Sequence, residues 1–430
     1  MRAWANLYPW DVDGDPAAAD RIAGLGLTGV TLAAAYHAVR AVTPFHPRHR
    51  IVTRDAAVYY RADPSRWRAA PSGRAAELPG RPADLSALLA TGSRPARLRP
   101  AVARPAGSFE RAAAALRARG LAVTAWAVIT HNDRLGAVVP SAAVRNAFGD
   151  AYPWALCLAS QAVRDYAAVL AGEVAALPEA DAVEFEACGW YGVEHGSAHD
   201  KSAGAADGAA AQWLLSVCFC SACRREYAAA GADPARLAAH VRAAVDSPAE
   251  AALPGQAADV LAGVRAALAT RFQREVIAAA RDAAPDKPIY LHVHPDPRAT
   301  GANPGYEPAA LAGAAGVVLS CWDPVTAPAL VSRAVATMPQ GTAVAASVLA
   351  VSGLGGDPAT LPAQPAARTA AAWAGSVAGA PPSPDTASSD AATAVPSGTV
   401  AVARETRAGA VPGSQQDSTI PVVPASAAGA

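Results

Sequence analysis

Short apolar segments alternate along the chain with longer segments rich in Ala, Leu and Arg. The apolar segments fall at residues 3–10, 29–37, 121–130, 181–191, 288–294, 316–321 and 342–351, and helical periodicity is found at residues 16–25, 109–119, 161–177 and 209–283. Strands that alternate with helices in this way are typical of parallel β/α units. The sequence therefore predicts an α/β fold, a (β/α)8 TIM-type barrel, over residues 1–375.

The C-terminal segment breaks this pattern. After Trp373 there is no aromatic residue and no convincing apolar period. Such a composition predicts a low-complexity, disordered tail at residues 376–430. The eighth strand has three explanations: the barrel is incomplete at strand eight, residues 398–403 supply a weak strand, or a frameshift in the gene replaced the native end.

A long insertion, residues 38–107, follows the second predicted strand and is rich in Pro and Arg. Within it, residues 50–53 and 57–60 flank a short polar turn and predict a β-hairpin. Loops of this length usually serve a function or are disordered. Because the insertion follows a barrel strand, we interpret it as a lid on the substrate side.

Composition excludes several classes of partner. The 430 residues are 52% hydrophobic with a formal net charge of zero, so nothing favours binding to nucleic acid or to an acidic membrane surface. The chain has no uninterrupted apolar run of about 18 residues and no secretory signal at its N-terminus. Six cysteines without an export signal predict reduced thiols and a cytoplasmic location.

Two acids on the fourth predicted strand carry the strongest functional signal. Alternation places Val183 and Phe185 on one face of the strand and Glu184 and Glu186 on the other. In a β/α barrel the apolar face contacts the helices, so both carboxylates would point inward near the C-terminal mouth, where such enzymes carry their chemistry. The alternative is a salt-bridged or solvated pair without catalytic work.

The same alternation brings aromatic, imidazole and amide side chains to the mouth. Aromatic faces combined with planar hydrogen-bonding groups suit a sugar, which has apolar faces and hydroxyl edges. We therefore expect a small-molecule carbohydrate as the substrate. The candidate substrate-binding residues are Trp10, His37, His131, Asn132, Trp190, His195, His292, His294 and Trp322. For His195, in a loop with Gly and Ser neighbours, a solvated position is the alternative.

Glycosidic bond cleavage needs a carboxylic acid and a carboxylate on opposite sides of the bond. Glu186, near the end of its strand, is the first candidate, and Asp323, just after the sixth strand, is its best partner. Glu184 lies a layer deeper, where it would orient Glu186 or raise its pKa by like-charge proximity. Asp323 also precedes Pro324 and would cap a following helix equally well.

Two other functions remain open from the residues alone. His292 and His294 form an H-x-H pair within plausible reach of Glu186, which is also the composition of a mononuclear metal site. This pattern would suit a metal-dependent barrel hydrolase or isomerase. The third alternative is a barrel that binds sugar without turning it over.

A cysteine-rich segment suggests a structural metal, although the predicted hydrolysis requires no cofactor. Cys218, Cys220 and Cys223 form a C-x-C-x-x-C pattern that would hold zinc, with a fourth ligand from Cys157, Cys188 or a histidine. The alternative is a group of buried small apolar residues at the start of a helix.

Several motifs together resemble a bacterial family of TIM-barrel proteins classed as glycoside hydrolases. The resemblance covers about residues 4–349, and its motifs are Trp126, Ile129-Thr-His-Asn132, Asn146-Ala-Phe-Gly-Asp150, Leu156-Cys157, Glu184-Phe-Glu186, His195-Gly196 and Cys218-Phe-Cys-Ser-Ala-Cys223. It implies a (β/α)8 barrel and a carbohydrate substrate. Compared with barrel glycosidases more widely, Glu186 resembles their strand-four acid, whereas the predicted seventh strand contains no acid.

Overall fold

The computed structural model describes residues 2–43, 45–69, 98–193, 208–246, 253–339, 341–349 and 399–403. Parallel strands alternate with helices along the chain, as the apolar pattern predicts. The strands are β1 (Arg2–Leu7), β2 (Gly29–Tyr36), β3 (Val39–Val42), β4 (Ile51–Arg54), β5 (Ala57–Val58), β6 (Ala122–Val128), β7 (Ala143–Arg145), β8 (Ala151–Leu156), β9 (Ala182–Glu186), β10 (Ile289–His292), β11 (Gly316–Ser320), β12 (Ala343–Leu349) and β13 (Thr399–Ala403).

The helices surround the main sheet or extend from its C-terminal edge. They are α1 (Pro9–Val12), α2 (Ala18–Ala23), α3 (Pro64–Ala69), α4 (Ser108–Arg117), α5 (Asp133–Val138), α6 (Gln161–Ala175), α7 (Gly208–Leu215), α8 (Ser221–Ala229), α9 (Pro234–Asp246), α10 (Gly255–Ala283) and α11 (Ala327–Thr337). Short 3-10 turns are formed by Pro140–Ala142 and Pro308–Leu311. Within these described ranges, no helix combines the length and the apolar character needed to span a membrane.

The main sheet is a curled parallel sheet, which confirms the predicted α/β fold. Neighbouring strands follow the order β1, β2, β6, β9, β10, β11 and β12. The segment β13 pairs in parallel with both β12 and β1. It occupies the position that a weak strand at residues 398–403 would take.

The hydrophobic core lies between the sheet and the helices. Val183 and Phe185 of β9 are fully buried there, as are Leu291 of β10 and Phe272 of α10. A second, smaller apolar layer on the inner face consists of Val318 and Ala345, with Tyr290 packed against them. Side chains that contact the helices therefore alternate along each strand with side chains that face the interior, as the two-residue period of an extended chain requires.

The first strand ends earlier than predicted. β1 stops at Leu7, because Tyr8 begins a helical turn with Pro9 in its first position. Proline suits the first turn of a helix, since its missing N–H would have no partner there. Trp10 therefore lies in α1 and not in a strand.

The hairpin within the insertion pairs differently from the prediction. β4 pairs antiparallel with β3, and β5 pairs antiparallel with the end of β2. The turn lies at residues 43–50, where the Thr43 N–H donates to the Arg50 carbonyl at 2.8 Å. The prediction of a hairpin between residues 50–53 and 57–60 was wrong, because both segments have partners outside this pair.

A buried carboxylate fastens the described part of the insertion to the barrel. Glu173 of α6 accepts hydrogen bonds from the Tyr60 hydroxyl at 2.7 Å and the Trp67 indole at 2.8 Å. It also accepts one from the Asp63 backbone N–H at 2.8 Å. The roles of residues 70–97 as a lid and of residues 376–430 as a disordered tail lie outside the described residues, apart from β13.

Candidate active site

The inner face of β9 presents both acids, as alternation predicts. Glu184 is 5% exposed and Glu186 is 8% exposed. Glu184 is aligned in register with Trp126 on β6 and with Tyr290 on β10. Because parallel neighbours in register point to the same side, these three side chains form one layer of the barrel interior. Glu186 lies one layer nearer the C-terminal end of the strand.

Glu184 forms a buried ion pair with His292 of β10. Its Oε1 lies 2.5 Å from His292 Nε2, and its Oε2 accepts a hydrogen bond from the Thr31 hydroxyl at 3.3 Å. Burial lowers the pKa of His292, but the charge of Glu184 and its hydrogen bond outweigh burial, so the pKa is raised overall. The raised pKa favours the charged form of His292 beside Glu184.

Glu186 forms no ion pair with any of the described residues, and its electrostatic environment differs from that of Glu184. Burial raises its pKa to about 6, and the negative charge of Glu184 adds to this rise. The charge of His292 and the indole of Trp126 lower the pKa and only partly offset the effect of burial. A buried carboxyl group with a raised pKa is typical of the general acids of active sites. Glu186 has the properties of a proton donor in mildly acidic to neutral solution.

The backbone directly after Glu186 is in an unusual conformation. Ala187 has a φ of 51°, the one positive value found for a non-glycine residue in the described part of the chain. Its N–H donates to the Ala302 carbonyl at 2.8 Å. Residues held in the left-handed region are found most often at functional sites, where the surrounding structure enforces them.

Aromatic rings form a continuous wall beside the two acids. Tyr8 stacks on Trp10 with ring centroids 4.6 Å apart and meets Tyr36 edge-on at 4.9 Å. Tyr36 in turn contacts Trp126 edge-on at 4.9 Å. The Trp126 ring lies nearly parallel to the ring of His292, with centroids 6.5 Å apart. The rings therefore contact one another from Tyr8, directly after β1, to Trp126, which lies in the same layer as Glu184.

The wall continues along the mouth through stacked imidazoles. His37 stacks on Tyr36 at 4.1 Å and on His131 at 4.3 Å. His131 stacks on Tyr191 at 4.3 Å. His37 and His131, which the sequence predicts as sugar contacts, therefore lie in one row with Tyr36 and Tyr191, which it did not predict.

A β-bulge explains why Tyr36 was missed. The pairing of β2 with β6 shifts between Ala33 and Ala35, so Ala33 is aligned with Trp126 and Ala35 with the outward-facing Ala127. A bulge inserts one residue and reverses the alternation beyond it. Alternation counted without the bulge would place Ala35 inside, whereas Tyr36 is the residue that contacts Trp126. Both faces of β6 are apolar, so alternation alone does not select Trp126.

A cavity of about 900 Å³ adjoins this wall. Its lining includes Tyr191, Trp213, Gln212, His294, Arg298 and Asn303. A volume of this size is in the range of small-ligand sites. The cavity shares Tyr191 with the aromatic wall, and its lining does not include Glu184 or Glu186.

Three predicted contact residues have other partners in the structure. Trp10 is buried under Tyr8 and Tyr59. Trp190 is also buried, and its indole N–H donates to the Arg265 carbonyl at 3.0 Å on the helix side. Asn132 begins α5, where its side-chain oxygen accepts the Leu135 N–H at 3.0 Å. Ring packing accounts for the position of Trp10, a hydrogen bond to the helix side for Trp190, and helix capping for Asn132.

Asp323 follows β11 in an exposed turn. Its Oδ1 accepts the Val325 N–H at 2.9 Å, and its Oδ2 accepts the Thr326 hydroxyl at 2.7 Å. These contacts form a turn before α11, and the N-cap residue of that helix is Thr326, not Asp323 as the capping alternative predicts. Trp322 is half exposed beside it. The predicted contact His195 lies outside the described residues.

The two histidines of the H-x-H pair do not converge with Glu186 as metal ligands. His292 Nε2 is bound to Glu184, whereas His294 Nδ1 accepts the Asp296 N–H at 3.0 Å and the side chain lines the cavity. In the described ranges, the four cysteines are the one group of three or more potential ligands whose atoms lie within 4.8 Å of one another. The fourth member is Cys157, not Cys188 or a histidine.

Comparison with solved structures identifies the fold. The chain is similar to the glycoside hydrolase domain of PgaB (BpsB) from Bordetella bronchiseptica, with a TM-score of 0.52, 14% identity, and coverage of 86% of this chain and 91% of that one. This likeness shows that the fold is similar to glycoside hydrolase barrels. No family model and no curated protein matches the sequence.

Two further structures are less similar. One is alpha-L-fucosidase isoenzyme 2 from Paenibacillus thiaminolyticus, with a TM-score of 0.46, 12% identity, and coverage of 81% and 40%. The other is the catalytic domain of beta-amylase from Paenibacillus polymyxa, with a TM-score of 0.44, 10% identity, and coverage of 81% and 85%. Scores this low carry no argument about this site.

Proposed function

We propose that this protein is a glycoside hydrolase in which Glu186 donates a proton to the oxygen of the bond that breaks. The observation that carries this proposal is the environment of Glu186, a buried carboxyl group at the C-terminal end of a barrel strand with its pKa raised to about 6. An acid with a pKa near the working pH is both protonated in a useful fraction and able to release its proton. The similarity to glycoside hydrolase barrels supports the proposal through the fold.

Glu184 and His292 act behind Glu186 as positioning residues. The carboxylate of Glu184 is satisfied on both oxygens, by His292 and by Thr31. A fixed negative charge one layer below Glu186 favours the protonated form of Glu186 before the reaction. Protonated His292 keeps that layer close to neutral overall, so the site does not bury an uncompensated charge.

A sugar is the substrate class that the surroundings of Glu186 suit. The wall from Tyr8 to Tyr191 offers ring faces for the apolar side of a pyranose, and its hydroxyl and imidazole groups offer hydrogen bonds for sugar hydroxyls. The adjoining cavity has room for one or two further sugar rings at about 900 Å³.

Asp323 is our candidate for the second carboxylate of the reaction. Glu184 is less suitable, because breaking its pair with His292 would leave a buried charge without its partner. Asp323 follows the C-terminal end of β11, and its exposed carboxylate accepts hydrogen bonds within the turn that leads into α11. Replacing Asp323 with Asn keeps the Oδ1 acceptor for the turn and removes the charge, so this variant separates support of the turn from catalysis.

The leaving group provides the sharpest test of Glu186. We expect Glu186→Gln to reduce kcat on a glycoside with a poor leaving group, such as an unsubstituted oligosaccharide, by about 10²–10⁴-fold. On a dinitrophenyl glycoside of the same sugar the loss should be small, because that leaving group departs without protonation. Glu307→Gln is the matched control, since Glu307 is an exposed acid at a helix start.

The pH profile tests the same role independently. Because Glu186 acts as an acid, kcat/KM should fall as pH rises above about 6, where the carboxyl group loses its proton. Equal losses in Glu186→Gln on both kinds of leaving group would remove Glu186 from the role of proton donor. Glycan binding without turnover by the wild-type protein, across a broad panel, would favour a non-catalytic sugar-binding barrel.

A further inference from the structure

Four buried cysteines meet at one point between a hairpin and a helix start. Cys157 directly follows β8, while Cys218 and Cys220 precede α8 and Cys223 lies in its first turn. The Sγ atom of Cys157 lies 3.4 Å from that of Cys223 and 3.5 Å from that of Cys220. All four Sγ atoms lie within 4.8 Å of one another. This convergence joins residues more than sixty positions apart in the sequence.

The separation of the sulfur atoms fits a tetrahedral thiolate site. Zinc–sulfur bonds of about 2.3 Å place the corners of a tetrahedron about 3.8 Å apart. The two measured separations, 3.4 and 3.5 Å, are close to that edge length. They are also far longer than the roughly 2.05 Å of a disulfide bond. Four converging thiols match a closed zinc site better than two disulfides.

A buried cation without a carboxylate partner lies beside the cluster. Arg265 of α10 is only 5% exposed, and no carboxylate among the described residues forms an ion pair with it. It donates to the carbonyl of Ser216, two residues before Cys218, at 2.9 Å and lies 4.4 Å from the Trp190 ring. Four thiolates around a divalent ion carry two negative charges in excess, which a buried guanidinium nearby would partly offset.

Backbone donors around the sulfur atoms complete this environment. The Arg145 and Cys220 backbone N–H groups both donate to Cys218 Sγ at 3.4 Å. Such N–H···S contacts stabilise thiolates and orient metal ligands. A group of neutral thiols packed only as small apolar residues would need neither these donors nor a buried guanidinium.

We propose that Cys157, Cys218, Cys220 and Cys223 bind one zinc ion, which fastens helices α7 and α8 to the β7–β8 hairpin. Two hydrogen bonds join the same elements, and we call this contact the junction. The Phe219 N–H donates to the Arg145 carbonyl at 2.6 Å, and the Tyr152 hydroxyl donates to the Leu215 carbonyl at 2.9 Å. With four protein ligands the ion has no open coordination position, so its role is structural.

The junction also holds part of the mouth in place. Trp154 of β8 donates from its indole N–H to the Gly192 carbonyl at 2.9 Å, next to Tyr191 of the aromatic wall. Gly192 packs closely against Ser216, since an added Cβ would lie 2.1 Å from the Ser216 hydroxyl oxygen. Loss of the ion is therefore expected to loosen the Tyr191 side of the mouth, without touching Glu186 directly.

Metal content tests the proposal without any need for activity. The full chain, produced with zinc in the medium and purified without chelators, should contain about one zinc per chain by elemental analysis. Cys220→Ser should lose most of that metal, whereas Cys321→Ala, which removes another buried thiol, should keep it. Cobalt exchanged into the wild-type protein should give the strong visible absorption of a tetrahedral thiolate complex.

A second measurement covers the case in which Cys220→Ser does not fold. Titrating the thiols of the wild-type protein with a mercurial should release zinc in step with four cysteines. After an excess of a small thiol has removed the mercurial, the metal-free protein should have a lower Tm that added zinc restores. Wild-type protein without bound metal, metal retained by Cys220→Ser, or disulfides among these four cysteines would each overturn the proposal. None of these outcomes depends on whether the protein hydrolyses a sugar.

Discussion

Replacing Glu186 with Gln should stabilise the folded protein at neutral pH. Burial raises the pKa of this carboxyl group from 4.5 to about 6. One unit of pKa corresponds to about 1.4 kcal/mol, so holding Glu186 ionised in the folded state costs about 2 kcal/mol above pH 6. Glutamine has nearly the same shape and carries no charge, so this variant removes that cost.

The sign and the pH window follow from proton binding. Between about pH 4.5 and 6 the folded protein binds more protons at Glu186 than the unfolded chain does. The free energy of unfolding contributed by Glu186 therefore falls as pH rises through this window. Below it, wild type and Glu186→Gln should be nearly equal in stability, and above it the variant should keep its full advantage.

Glu184→Gln is the matched control, two residues away on the same strand face. Glu184 is bonded to His292 at 2.5 Å, so removing its charge leaves the imidazole without its counter-ion. We expect this variant to be less stable than wild type by about 1–3 kcal/mol. Because the pKa of His292 is raised, the stabilisation that the wild type gains from the Glu184–His292 pair is largest at low pH. It is lost as pH rises through the pKa of His292 in the folded protein.

Thermal unfolding at about pH 4, 6 and 8 measures all three proteins. For a cooperative unit of roughly 350 residues, 2 kcal/mol corresponds to about 3 °C in Tm. The Tm of Glu186→Gln should thus exceed that of wild type by about 3 °C at pH 8 and by little at pH 4. A constant difference at every pH, or destabilisation of both variants alike, would refute the proposed environment of Glu186.

Three further predictions concern the surroundings of the site. Glu173→Gln should lower the free energy of unfolding by about 1–3 kcal/mol in denaturant titration, because an amide cannot accept all three hydrogen bonds that the carboxylate accepts. Gly136→Ala should reduce Tm strongly, since the added Cβ would lie 1.9 Å from the Pro153 carbonyl oxygen. Its control is Gly263→Ala in α10, where the added Cβ would meet open space, and this variant should raise the free energy of unfolding by about 0.5–1 kcal/mol. Asp323→Ala should cost about 0.5–1.5 kcal/mol through loss of a hydrogen bond in the turn before α11, which calorimetry can measure; no change in Tm would argue against a role of Asp323 in that turn.

Local alternation predicted the most informative part of the site. On β9, Glu184 and Glu186 face inward while Val183 and Phe185 face the helices, and Tyr290 and His292 of β10 follow the same rule. The period of two is a property of the extended chain itself, so it can be read without knowing any strand's neighbour. The same logic failed on β2, where the bulge after Ala33 depends on pairing with β6.

The four cysteines of the proposed metal site show a similar division. Spacing alone selected Cys218, Cys220 and Cys223, because these three lie within one turn and the helix that follows it. Cys157 was one of several possible fourth ligands. Only the packing of the β8 end against α8 distinguishes it from Cys188, which is buried elsewhere.

The sequence by itself determined the α/β alternation, the inward orientation of the two acids and the group of three cysteines. The tertiary structure decided that Glu184 pairs with His292, that Glu186 is left to titrate near 6, and that Tyr36, Trp126 and Tyr191 line the mouth. It also decided that the Trp190 indole donates to the Arg265 carbonyl and that the Asn132 side chain caps α5. The physical reason is that periodicity depends on the geometry of neighbouring residues, whereas partners and pKa values depend on distant segments that meet only in the folded chain.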